Sequence, residues 1–91
     1  MKTAHRIIAN CDSASEAMDD AESATICRLH NDDADLLKYV FGDCSVLVFR
    51  GSDYFGFDST DAESIRAYAE WVATENGTES AYIASLLKFA N

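Results

Sequence analysis

The stretch Leu36–Asp58, "LLKYVFGDCSVLVFRGSDYFGFD", decides the fold. It holds three runs rich in β-branched and aromatic residues: "LLKYVF" (Leu36–Phe41), "SVLVFR" (Ser45–Arg50) and "YFGFD" (Tyr54–Asp58). The triplets "GDC" and "GSD" between them are turn formers. Runs of this length and spacing predict an antiparallel meander. Leu37, Tyr39 and Phe41 alternate along the first strand, Leu47 and Phe49 along the second, and Phe55 and Phe57 along the third. Together they are expected to form one buried face. Gly56, inside a strand, marks a bulge or a close helix contact.

Working outward, "TICRLH" (Thr25–His30) reads as a further short strand and "NDDAD" (Asn31–Asp35) as a polar turn. Upstream, Ile7, Cys11, Ala14, Met18, Ala21 and Thr25 follow helical spacing, which predicts one helix over 3–24. A competing reading makes "AHRIIA" a strand and starts the helix at Asp12 or Ser13, both good N-caps. Downstream, a helix runs from about Thr60 to Thr74, with Thr60 and Glu63 as a capping box. Its core stripe is Ile65, Tyr68, Ala69 and Val72. Gly77 is expected as the left-handed residue that ends it. A last helix opens at Thr78 or Glu79, with Ile83, Leu86, Leu87 and Ala90 facing inward. The chain thus reads as a single domain, 1–91, of the α+β class, in which a small antiparallel sheet of three or four strands packs against two to three helices.

Apolar residues make up 48% of the chain, enough for a modest core. Sixteen Asp and Glu face seven Lys and Arg, a formal net charge of −9. Direct binding to nucleic acid or to anionic lipid needs a basic footprint and is disfavoured, whereas a basic protein partner is favoured. No run of residues is long and apolar enough for a membrane span, and no apolar signal core opens the chain, so a cytoplasmic location is expected. Cys11, Cys27 and Cys44 are odd in number and widely spaced, which predicts buried free thiols rather than disulfides or a zinc site. His5 and His30 have no companions at ligand spacing, and the common nucleophile, phosphate-loop and dinucleotide motifs are missing. "NDDAD" fails as a calcium loop, because Leu36 stands where glycine is needed and Gly42 where a glutamate is needed. Neither an enzyme nor a cofactor is expected.

The placement of the acids carries more information than their number. On a helical wheel Asp12, Glu16, Asp19 and Asp20 fall together, away from the apolar stripe and with no basic residue between them. Asp32, Asp33 and Asp35 crowd one turn, Asp43 and Asp53 sit in the next two, and Asp58 and Asp61 follow the meander. Glu63 and Glu70 flank Arg66 at ion-pair spacing, and Glu75 follows. Fixed negative points spread over a small body are what a basic, DNA-binding groove reads as phosphates.

From Lys38 to Trp71 the sequence resembles the second-numbered family of phage-encoded, DNA-mimicking inhibitors of type I-F CRISPR–Cas. The resemblance rests on "KYVF", "DCSVL", Gly51, Asp58 and "DAESIRAYAEW", and continues to Ile83, Leu86 and Leu87. It implies an acidic α+β protein acting in the cytoplasm of an infected bacterial host. The implied partner is the crRNA-guided surveillance complex (Csy, or Cascade), near its large subunit and that subunit's small neighbour, where the PAM is read. It also implies that the inhibitor's carboxylates occupy the lysines and arginines that hold target DNA. Asp43, Asp58, Asp61, Glu63, Glu70 and Glu75 keep an acid where the family has one. Thr60, Ala73 and Thr74 replace acids, and the tail "KFAN" carries none, which shifts the negative charge toward Asp12–Glu22 and Asp32–Asp35. Two alternatives stay open: a type I-C complex as target, or an acidic module that masks another basic protein through an apolar patch drawn from Tyr54, Trp71, Tyr82 and Phe89.

Overall fold

The computed structural model describes residues 1–32, 35–72 and 77–91. The elements run α1 (Thr3–Asn10), α2 (Ala14–Ala24), β1 (Cys27–Asn31), β2 (Leu36–Val40), β3 (Ser45–Arg50), β4 (Asp53–Asp58), α3 (Ala62–Val72) and α4 (Gly77–Phe89). The four strands form an antiparallel meander in the order β1-β2-β3-β4. The architecture is α+β, as the pattern of runs and turns predicts.

The β2–β3 and β3–β4 hairpins use the backbone their turns demand. Gly51, at φ +63°, opens the two-residue turn between Arg50 and its partner Asp53. Cys44, at φ +68°, takes the left-handed position of the three-residue loop between Phe41 and Ser45, where glycine is usual.

The sheet is covered on both faces. Tyr39, Phe41, Leu47 and Phe49, with Leu37 and Tyr54 at the margin, pack under α1 and α2 against Ala4, Ile7, Ala17 and Ala21. Leu36, Val46, Val48 and Phe57 pack on the other face against Ile65, Tyr68, Val72 and Ile83 of α3 and α4. Phe55 and Phe57 therefore do not share a face with Leu47 and Phe49, contrary to expectation. The register pairs Leu47 with Gly56 and Phe49 with Tyr54, so Gly56 and Tyr54 complete the α1 face. At Gly56 the helix contact is the correct choice over a bulge. A Cβ there would lie 2.8 Å from Ile8 Cδ1 and 3.3 Å from Ala4 Cβ. On the α3 side Phe57 stacks on Tyr68, 4.4 Å between centroids, and Phe55 stacks on Trp71 at 5.4 Å. Arg50 lies over the Trp71 ring and donates to the Val72 carbonyl, which caps the C-terminal end of α3.

The long helix over 3–24 is two helices, which brings the helices among the described residues to four, above the two to three expected. Ser13 takes an extended conformation, and its side chain accepts from the Glu16 N–H at 3.2 Å, so α2 has its own N-cap. The apolar stripe crosses the break unaltered, because Ile7, Cys11, Ala14, Met18 and Ala21 all reach one cluster. The cap of α3 is also reassigned. Asp61 accepts from the Ser64 N–H at 3.0 Å, while Thr60 bonds to Asp58. Gly77 opens α4 instead of closing α3. The cysteines are free, but Cys27 and Cys44 are exposed and Cys11 only half-buried.

α4 is anchored at both ends. Near its start, buried Glu79 pairs with buried Lys38 at 2.7 Å and accepts from the Tyr68 hydroxyl. Tyr82 presents its ring to the Lys38 ammonium. At the far end Asn91 exchanges backbone bonds with Thr60 and Ala62. Burial pushes the Tyr68 phenol upward, helped by its bond to Glu79, and burial likewise raises Tyr82 to about 12. Among the described residues, no helix is long and apolar enough to cross a membrane.

Candidate functional site

The carboxylates fall into two groups, those engaged inside the fold and those left to solvent. Asp43 is the most engaged. From the β2–β3 turn its Oδ2 accepts from the Thr3 N–H at 2.7 Å and from the Thr3 hydroxyl at 2.8 Å, while Oδ1 accepts from the Ser45 hydroxyl and N–H. α1 has no acid in its first turn and no side-chain cap from Lys2. Asp43 supplies both the cap and the negative charge across the fold. The Ser45 hydroxyl bond and the Thr3 bonds hold its carboxyl well below the usual range against the opposing effect of burial. Asp58 is half-buried. Burial pushes its carboxyl up, but the Thr60 bonds and Lys2, 3.4 Å away, outweigh that and hold it low. Asp61 is exposed at the start of α3 and caps it.

The α2 surface is different. Asp12 lies in the linker before α2, not on the helix; Glu16, Asp19 and Asp20 project from α2. All four are exposed, and none forms a salt bridge among the described residues. Their one side-chain bond is to the Cys11 thiol, which donates to Asp20 Oδ2 at 3.3 Å. That thiol reports the local field. It is raised to about 11, first by burial, then by the Asp20 bond and by the charges of Asp20, Glu16 and Asp12. Three acids thus bear on one sulfur with no cation between them.

The remaining candidates are scattered. Asp32 is exposed and lies 3.1 Å from His30 Nδ1, and Asp35 is exposed at φ +52° before β2. Asp53 is exposed at the start of β4. Glu63 and Glu70 are exposed on α3, and neither forms the expected ion pair with Arg66. Asp33 and Glu75 lie outside the described residues. Among the described residues no group of three His, Cys, Asp or Glu could hold a metal.

Two acids have roles that sequence reasoning did not find. Glu22 accepts from Arg28 Nη1 and from the Tyr39 hydroxyl, both at 2.7 Å; these two bonds hold its carboxyl low. Glu79 is fully buried in its ion pair. Nothing local marks Glu22. Glu79 does carry a signal, since it stands four residues before Ile83 on the inward stripe of α4. Of the proposed apolar patch, Tyr54, Trp71 and Tyr82 are packed into the two cores, and only Phe89 is strongly exposed, at 81%. Among the described residues, Ile26 and Leu29, beside and on β1, and Met1 at the start of the chain are the other exposed large apolar residues.

The family model of the anti-CRISPR protein AcrF2 matches residues 4–90. Anti-CRISPR protein 30 of Pseudomonas phage D3112 is 40% identical over 52 residues, which is 56% of this chain. The matched segment spans 58% of that relative's own length.

Proposed function

The chain belongs to the AcrF2 family of anti-CRISPR proteins, and from that premise we propose that it is a non-enzymatic DNA mimic directed at the type I-F surveillance complex. Acting in the cytoplasm of the infected host, it binds protein subunits near the PAM-reading site, at the large subunit and its small neighbour. Its carboxylates occupy lysines and arginines that otherwise hold target duplex. The guide RNA stays loaded, while the duplex is excluded.

The observation that carries this reading is the unneutralised row Asp12, Glu16, Asp19 and Asp20. A face that serves solubility alone is usually mixed in sign. Here the like charges repel one another, which costs folding stability, and none of the described basic residues forms a salt bridge with them; four of the seven are engaged elsewhere. Lys2 pairs with Asp58, Arg28 with Glu22, Lys38 with Glu79, and Arg50 with Trp71 and the Val72 carbonyl. A basic groove on a partner is the complement such a face lacks.

The test is competition. Labelled PAM-containing duplex is bound to the purified type I-F complex, and the inhibitor is titrated in. The reading expects full displacement at stoichiometric excess, with the guide RNA retained. Undiminished duplex binding would contradict it.

A further inference from the structure

The two edges of the sheet are treated unequally. β4 lies against α1 and α3, and its outward Asp58 N–H donates to Ser64 Oγ at 2.8 Å. Among the described residues β1 packs to any extent only against β2, and four of its five residues are exposed. The ladder shows which of its backbone groups point away from the sheet. Phe41 donates to the Ser45 carbonyl, so Leu37, Tyr39 and Phe41 direct their backbone groups toward β3. Leu36, Lys38 and Val40 then face β1, where they pair with Asn31, Leu29 and Cys27. By alternation, the N–H and C=O groups of Arg28 and His30 point outward.

Such an edge templates a further strand unless something blunts it. β1 has no proline, and its register with β2 is continuous over all five residues. The Arg28 side chain, which could repel a basic partner, is tied down by Glu22. Ile26, 71% exposed, and Leu29, 40% exposed, flank the free backbone groups. On the α4 side Leu29 and Asn31 border a cleft of about 410 Å³ that Lys38 and Tyr82 also line, wide enough for a side chain of an added strand.

We infer that β1 is a strand-addition site for an extended, lysine- or arginine-bearing segment of the protein to which the chain binds. Charge selects this occupant over a second copy. Two copies would bring together bodies of −9 each, whereas a basic segment is drawn to one. Backbone pairing supplies affinity, and apolar residues of the added strand cover Leu29 and Ile26. The inference rests on the proposed function for the identity of that protein, a subunit of the type I-F complex.

His30→Pro removes an outward N–H and no bond of the β1–β2 ladder, while His30→Ala keeps the backbone intact. Binding of the full chain to the purified complex should weaken about tenfold or more for His30→Pro, the scale of lost backbone bonds. It should weaken less than about threefold for His30→Ala. In the unaltered protein, residue-resolved hydrogen exchange should slow at the Arg28 and His30 amides on complex formation, a readout that holds even where the proline variant folds poorly. If both amides exchange at unchanged rates in the bound state, strand addition is wrong. If lysine substitutions on α2 still abolish binding in that case, the proposed function stands without it. If the chain does not bind the complex, both readings fall together.

Discussion

Asp43 and the α2 acids handle negative charge in opposite ways, though the sequence presents them alike. Asp43 looks like an ordinary turn aspartate, yet it makes four hydrogen bonds and caps a helix 40 residues upstream. Glu16, Asp19 and Asp20 look like ordinary helix-surface acids, yet no cation neutralises them, and Asp12 beside them is equally bare. Carboxylates can therefore serve as fasteners of a small fold or as a presented surface. Partners decide between the two, and the decisive partners are remote in sequence.

The contrast can be broken most violently at Glu79, the deepest fastener. Glu79→Ala leaves the buried Lys38 ammonium without its carboxylate. Urea unfolding should show a loss of about 3–5 kcal/mol, while replacing the pair together, Lys38→Met with Glu79→Leu, should recover most of it. Asp43→Ala comes next, with a loss of about 2 kcal/mol from the cap it removes. Its pH signature follows from sign. Asp43, Asp58 and Glu22 all bind protons less readily when folded than when unfolded. Their stabilisation is present above the unfolded-state value near pH 4 and is lost as pH falls through and below it. Thermal melts from pH 6 to pH 2 should show that limb, and Asp43→Asn should flatten it. By contrast, the triple change Glu16→Lys, Asp19→Lys and Asp20→Lys should move the melting temperature by no more than about 2 °C, because the bond it breaks, Cys11 to Asp20, is an exposed and weak one. The mildest probe is chemical. With its thiol raised to about 11 and half-buried, Cys11 should alkylate with neutral iodoacetamide at pH 8 about tenfold more slowly than exposed Cys27 and Cys44. The triple-lysine variant should narrow that gap, as read by peptide mass mapping.

What was legible in the sequence follows the same division between local and remote. The β3 run "SVLVFR" gives its strand without error, and both late helices show their inward stripes. That run also carries the signal of its two-sided burial. Val46, Leu47, Val48 and Phe49 are apolar without alternation, which is the pattern of a strand covered on both faces. The break at Cys11–Ser13 hides because the 4-3-4 stripe continues through it, although Ser13 was the visible cap. The Asp43–Thr3 and Glu22–Tyr39 bonds have no local signature, since each depends on how the layers fold over one another. The acids of α2 were identifiable as a group; that nothing neutralises them became visible only when the cations were placed.

The central claim is that the α2 acids stand in for DNA charge, and direct affinity measurement for the purified type I-F complex tests it best. Unaltered protein, the α2 triple-lysine variant and Asp43→Asn would be titrated at low and raised salt. The account predicts that the unaltered protein weakens steeply with salt. It predicts that the triple-lysine variant loses at least about a hundredfold at low salt, and that Asp43→Asn, where folded, binds within a few-fold of the unaltered protein. Equal affinity of the triple-lysine variant, with no salt dependence, would contradict it.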